Sequence, residues 1–333
     1  MSVAANTIAH QVPPSKAGPS AFIQRLRQGD EIAHLITLTF AAGILLITSL
    51  LVYELWRNSH LSRAQFGWMF LWTRVWDPNF DNYGALPFIY GTLVTSAVAL
   101  VIALPLGLAS AIFLSELAPR SISNIISFLI DLLAAVPSVI YGLLGIFIVV
   151  PLMRTTLGPL LINTVGNVPF IGALFKGPNY GVGFLTAGIV LAIMVVPFII
   201  SVSREVLLTV PREQREAALA LGATRWESTW QVVLPWARTG IMGSVFLALA
   251  RALGETMAVT MVIGNAPNIS ASLFSPGDTI ASTIANQFTE ATGDLYLSAL
   301  IELGLVLFLI TFILNGLARI LIVATERGGG RPA

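Results

Sequence analysis

Residues 212–235 read REQREAALALGATRWESTWQVVLP. This polar stretch stands between two long apolar runs, and its reading decides the fold. Glu213 and Glu216 alternate with Arg212 and Arg215, and residues from Glu216 to Leu221 are good helix formers. Pro211 suits a first helical turn, where a missing N–H costs nothing. Gly222 ends or kinks the run. A second short helix is expected from about Trp226, ending near Pro235. The whole segment 203–239 is therefore predicted to be a helix–turn–helix element joining two membrane spans.

The membrane assignment comes from composition. Of 333 residues, 56% are hydrophobic and 11% charged, with mean hydropathy +0.82. A soluble domain carries about 25% charged residues. Lipid-facing helices remove the need for a charged surface. Six stretches are long and apolar enough to span at about 20 residues per crossing. They are roughly 33–56, 88–114, 125–150, 183–202, 240–263 and 296–323. Without water, a spanning segment must satisfy its own backbone hydrogen bonds, so an all-α integral membrane fold is expected. Residues 1–30 are predicted as a disordered tail, 31–325 as the six-span domain and 326–333 as a second tail. The run from Ala33 to Trp56 is too long for a cleavable signal core and is expected to stay as an anchor.

Lys and Arg set the orientation. Lys16, Arg25 and Arg27 precede the first span, Arg204, Arg212, Arg215, Arg225 and Arg238 fall in 203–239, and Arg319, Arg327 and Arg331 end the chain. Fewer lie in the alternate loops, which favours cytoplasmic termini and a cytoplasmic 203–239 segment. The outside loop 57–87 is rich in aromatics, including Phe66, Trp68, Phe70, Trp72 and Trp76. An interfacial aromatic belt is its plainest reading; a docking surface is the alternative.

Several chemistries are excluded or disfavoured. The chain has no cysteine, so disulfides and thiolate chemistry are out. His10, His34 and His60 do not share ligand spacing on one element, so no metal site is expected. A net charge of +1 gives no signal for nucleic acid, and no such partner is expected. No phosphate-binding loop of the G-x-x-x-x-G-K-[ST] type occurs, and neither Lys16 nor Lys176 follows a glycine. No catalytic constellation is found, so an enzyme is not expected.

Glu216-Ala217-Ala218, Gly222 four residues on, and Val232-x-Leu234-Pro235 together resemble the coupling-loop signature of ABC importer permeases. Small residues let a partner surface approach closely, Gly222 permits a tight turn, and Pro235 would stop the second helix. The fifth span carries Arg251-Ala252-Leu253-Gly254-Glu255-Thr256, which resembles the permeases of the phosphate-specific transport system. Residues 132–142 (LLAAVPSVIYG) and the Tyr83–Leu86 and Tyr90–Ser96 stretches resemble the C-type subunit. The likeness runs from about residue 66 to 323.

The resemblance implies a type I importer permease with a cytoplasmic coupling helix in a bacterial inner membrane, carrying inorganic phosphate by alternating access. It implies a paralogous A-type permease subunit, two ATP-binding subunits and an extracytoplasmic phosphate-binding protein as partners. ATP and magnesium would be held by the ATPase, with no cofactor in this chain. The coupling residues would be Glu216, Ala217, Ala218, Gly222, Leu234 and Pro235. Permeases for molybdate, sulfate or phosphonate are the nearest alternative, and a proton-coupled anion carrier a more distant one.

Charges within spans need compensation, since an arginine at mid-membrane costs about 2.5–3.5 kcal/mol on insertion scales. Arg251 and Glu255 are four residues apart and are expected to share one helix face. They form either a structural ion pair or, with Thr256, part of the substrate path, where the guanidinium fork matches phosphate oxygens. Thr92, Thr95, Ser96, Ser138 and Tyr141 are weaker candidates, with interhelical hydrogen bonding as the simpler role. Asp131 and Glu302 are expected to be structural.

Overall fold

The computed structural model describes residues 30–328 except residue 170, without side chains at 30–32 and 324–328. The tail expected over 1–30 lies outside these up to residue 29, as do residues 329–333. Among the described residues regular structure is helical, with one isolated bridge between Asp77 and Asn82. The chain divides into two compact units, Met1–Glu54 and Leu55–Ala333.

The first unit is dominated by helix α1 (Asp30–Asn58), whose last turn belongs to the second. Its apolar residues are exposed all round, Leu45 at 70% for example. Its hydroxyls bond back into the helix: Thr37 Oγ1 donates to Ala33 O at 2.9 Å, Thr48 Oγ1 to Ile44 O at 2.9 Å and Ser49 Oγ to Leu45 O at 2.8 Å. These hydroxyls then need no water, which suits a lipid environment.

The second unit contains α2 (His60–Phe66), α3 (Leu86–Leu117), α4 (Arg120–Ala134), α5 (Ser138–Thr164), α6 (Phe184–Leu208), α7 (Arg212–Ala220), α8 (Arg225–Leu253), α9 (Met257–Ile263), α10 (Ile280–Gln287) and α11 (Asp294–Gly328). With α1, helices α3, α5, α6, α8 and α11 make six long and apolar enough to cross a membrane among the described residues.

Helix α6 is the hub. About two thirds of its apolar stretch is buried (67%), against 33% for α3 and α11. Its contact with α3 is made by small residues. A Cβ at Gly107 would sit 2.7 Å from Ile199 Cγ2, and one at Gly188 would strike Val98. Ala99, Ala103, Ala187, Val195 and Ile199 fill the shared core. Small residues let membrane helices close to van der Waals distance, where packing rather than water exclusion holds them. Ser203 Oγ and Ser244 Oγ, 2.8 Å apart and buried, add a hydrogen bond between α6 and α8.

Three features differ from the sequence expectation. The third apolar stretch, expected to span over 125–150, is two helices. Val136 precedes a proline and is pushed away from helical geometry. Pro137 is extended (φ −58°, ψ 139°) and caps α5, so the spanning helix runs from Ser138 to Thr164, well past the expected end at residue 150. Helix α4 is instead a short amphipathic helix. Second, Pro235 does not stop a helix. It lies inside continuous α8, just after a widened turn over Thr229–Val233. Pro151 and Pro159 follow similar turns in α5. Such π-turns take up the bulk and missing N–H that a regular helical ladder cannot. Third, the fifth span breaks: α8 ends at Leu253 and α9 starts at Met257.

The α3–α6 contact has a direct test. Gly188→Leu overpacks it and is expected to cost about 1–3 kcal/mol. Gly316→Leu, where a side chain meets open space, is expected to be near neutral. Denaturant unfolding of the two variants in the same detergent measures the difference; equal stability would contradict the packing described.

Candidate functional site

The coupling element is built as follows. Helix α7 carries Glu216, Ala217 and Ala218; Glu216 and Ala217 are exposed and Ala218 is half-buried. Gly222 adopts φ +92° in the turn after it, a conformation that favours glycine. The turn ends in a capping box: Thr224 N–H donates to Glu227 Oε2 at 2.8 Å, and Glu227 N–H donates to Thr224 Oγ1 at 3.2 Å. Leu234 and Pro235 then sit within α8. Leu221 is 91% exposed, and Trp226 and Trp230, half-exposed, meet ring edge to ring at 5.6 Å. The element thus presents an apolar crest next to Glu216.

The sequence reading missed what holds this element in place. Arg215 Nη2 donates to Glu116 Oε1 at 2.8 Å and Nε to Glu116 Oε2 at 3.1 Å, a two-pronged pair. The same guanidinium donates to the carbonyls of Leu207 (2.8 Å) and Val210 (2.5 Å) at the end of α6. One side chain therefore joins α7 to the ends of α3 and α6 and satisfies carbonyls a helix end leaves open. A bidentate arginine–carboxylate pair is among the stronger polar contacts available. Only the charge of Arg215 was visible in the sequence, because Glu116 is 99 residues away.

The residues proposed for the substrate path are only partly brought together. Arg251 is in the last turn of α8, exposed, with its Cζ 5.8 Å from the Phe198 ring of α6. The Tyr141 hydroxyl on α5 donates to Leu133 O at 2.7 Å. Glu255 does not pair with Arg251. The break at Gly254 takes it off the helix face, and its Oε1 accepts from Ala258 N–H at 3.2 Å, capping α9. Thr256 Oγ1 donates to Gly254 O at 3.3 Å, and its carbonyl accepts from Thr260 Oγ1. Ser138 opens α5 next to Pro137. The faces of α5 and α9 touch closely: a Cβ on Gly142 would lie 3.1 Å from Ala258 Cα.

Two of the three α3 hydroxyls are engaged in hydrogen bonds to backbone groups. Thr92 Oγ1 donates to Phe88 O at 2.7 Å and accepts from Ile280 N–H at 3.0 Å, fixing the start of α10. Thr95 Oγ1 donates to Gly91 O at 2.7 Å. Ser96 Oγ is buried with no partner. Nearby, buried Asp278 accepts from Thr279 N–H at 2.8 Å and from Ser282 Oγ. Burial raises its carboxyl pKa, opposed by these hydrogen bonds.

Asp131 lies on α4 and accepts from Ser201 Oγ at 2.9 Å. Glu302 on α11 is buried, with Oε2 unpartnered, and lines a largely apolar cavity of about 280 Å³ with Trp56 and Arg63. No group of three or more metal-ligating side chains occurs among the described residues.

The family described as "Binding-protein-dependent transport system inner membrane component" matches residues 103–326. "Phosphate transport system permease protein PstC" of Mesorhizobium japonicum is 45% identical over 325 residues, covering 98% of this chain and 99% of that one. The chain belongs to this family, among the PstC-type permeases. A protein of the same description from Pasteurella multocida is 49% identical, covering 88% and 91% of the two chains. The crystal structure of "a bacterial ABC transporter involved in the import of the acidic polysaccharide alginate" matches with TM-score 0.56 at 16% identity, over 89% of this chain and 98% of that one. The fold is accordingly that of an ABC importer permease, and the chain is a multi-pass membrane transport component.

The Arg215 staple predicts a non-additive pair. Arg215→Met leaves the Glu116 side chain, only 10% exposed, without its partner, and is expected to cost about 3 kcal/mol. Adding Glu116→Leu should recover most of that loss. Amide exchange across 207–220 measures it, and additive losses would contradict the staple.

Proposed function

We propose that the chain is the C-type permease subunit of an ATP-driven importer of inorganic phosphate. The observation that carries this reading is a full-length likeness to PstC-type permeases combined with an exposed coupling helix on a chain without a nucleotide-binding loop. The A-type permease subunit would complete the path, two ATPase subunits would hold ATP and magnesium, and an extracytoplasmic binding protein would deliver phosphate. In this reading both termini and α7 face the cytoplasm of a bacterial cell, and the chain performs transport rather than catalysis.

The mechanism follows from the geometry. Glu216, Ala217, Ala218 and the Leu221–Trp226 crest enter a cleft of the ATPase. The small side chains allow close approach, and Leu221 supplies apolar area that is otherwise left in water. Closure of the ATPase on ATP displaces α7, and the Arg215 staple carries that displacement into α3 and α6. The path switches from one side of the membrane to the other.

Arg251 is the anion contact. Its guanidinium is held near Phe198 with no carboxylate on it, so its donors are free for phosphate oxygens. Glu255 caps α9 and keeps its negative charge off the arginine; Thr256 fixes the same break. A permeant ion must bind well enough to enter and weakly enough to leave, and a single guanidinium without a paired acid meets that condition.

The test is ATP-dependent uptake of labelled phosphate into proteoliposomes holding the complete complex. Arg251→Gln is expected to lower uptake by about tenfold or more, the loss of a charge-assisted contact, while ATP hydrolysis persists. Glu216→Ala is expected to reduce uptake and hydrolysis together. Normal uptake by Arg251→Gln would remove the arginine from the path. Uptake inhibited more strongly by sulfate or molybdate than by unlabelled phosphate would reassign the substrate.

A further inference from the structure

A cavity of about 690 Å³ opens beside the coupling helix, between the end of α3, the start of α4, the end of α6, α7 and the first residue of α8. Arg120, Arg204, Arg212, Arg215 and Arg225 line it, together with Glu116 and Glu216. Two acids, Glu116 and Glu216, against five arginines leave the cavity positive. Glu116 is taken by Arg215. Arg204 meets Glu205 at 3.2 Å, but its buried Nε has no partner. Arg120, Arg212 and Arg225 make no ion pair among the described residues. They come from three helices and face one concave space.

Helix α4 adds to this field. It is 15 residues long, starts at the cavity wall with Arg120, and has no side-chain cap. Its N-terminus adds the positive end of a helix dipole, with the Ile122 and Ser123 N–H groups already taken by Pro119 O. A single carboxylate from a partner would answer one guanidinium and leave the others in repulsion. A phosphate group, with up to two charges and several acceptor oxygens, answers donors from several directions at once.

We propose that this cavity binds a phosphate group that bridges α7 to α4. Bound there, it would tie α4 to the stapled α3–α6–α7 unit, so that phosphate on that face restrains movement of α4 during the cycle. The source is free inorganic phosphate or the phosphodiester of an anionic lipid headgroup. Naming phosphate as the free anion rests on the importer reading; the site itself rests on the arginines.

The experiment is equilibrium dialysis of labelled inorganic phosphate against the complete transporter in phosphatidylcholine nanodiscs, without ATP or binding protein. Wild type, Arg120→Gln and Arg120→Lys are compared, and the series is repeated with phosphatidylglycerol added. Wild type is expected to hold a phosphate that Arg120→Gln binds about tenfold more weakly and Arg120→Lys largely retains. Suppression of that binding by phosphatidylglycerol in wild type makes the lipid headgroup the occupant. Arg225→Gln, on another wall, is expected to match Arg120→Gln and replaces it if that variant does not assemble. Equal binding by wild type and both glutamine variants in both bilayers overturns the proposal. So does equal binding accompanied by loss of the ATPase from the variant complexes, which would mark the cavity as a protein interface. If uptake proves specific for another anion while the dialysis difference persists, the importer reading falls and the site remains.

Discussion

Arg215 is the contact on which the coupling element depends. A coupling helix works only if its displacement reaches the membrane spans, and α7 is a nine-residue helix without a buried side chain. Its own packing could not transmit force. The Arg215 guanidinium ties it to Glu116 on the end of α3 and to the Leu207 and Val210 carbonyls at the end of α6. Below the staple, Leu207, Val210, Val233 and Ala237 form a buried cluster with Ala111 and Leu114. The cluster packs the ends of α3, α6 and α8 together, and the staple alone makes α7 an extension of the α3–α6 pair. That pair is itself closed by Gly107 and Gly188, so little compliance is left between the coupling helix and the hub of the bundle.

The same economy of contacts shapes the path. The break at Gly254 looks costly in a membrane, since each open backbone group needs a partner. Glu255 and Thr256 meet part of that need, with a carboxylate on Ala258 N–H and a hydroxyl on Gly254 O. The break is also what separates the Arg251 guanidinium from the acid four residues on. Unbroken helix would have paired them and lowered the positive charge an anion could use.

Much of the architecture was legible in the sequence because the membrane imposes simple rules. Long apolar runs had to be helices, and the Glu216–Pro235 signature marked the loop between the fourth and fifth of them. What the sequence did not disclose depended on geometry or on distant partners. Apolar content alone could not split 125–150, since the residues of α4 and α5 are similarly greasy; Val136-Pro137 was the available signal. Pro235 read as a stop because sequence rules assume a regular ladder, whereas a widened turn carries the helix through it. Spacing of four put Arg251 and Glu255 on one face only while Gly254 was taken as helical. Thr92 and Thr95, weaker path candidates for which hydrogen bonding was the simpler role, bond to Phe88, Gly91 and Ile280. Glu116, between the second and third expected spans, gave no hint of Arg215.

The central claim is that α7 moves as one body with α6. The chain has no cysteine, so spin labels can be placed by Leu221→Cys and Leu208→Cys, both at exposed positions. Their separation would be measured by pulsed electron resonance in the full transporter, nucleotide-free and with ATP trapped. The account predicts one narrow distance that ATP leaves unchanged. A second distance on ATP binding would mean that the coupling helix hinges on the membrane domain, and the staple would not be the route by which the spans are moved.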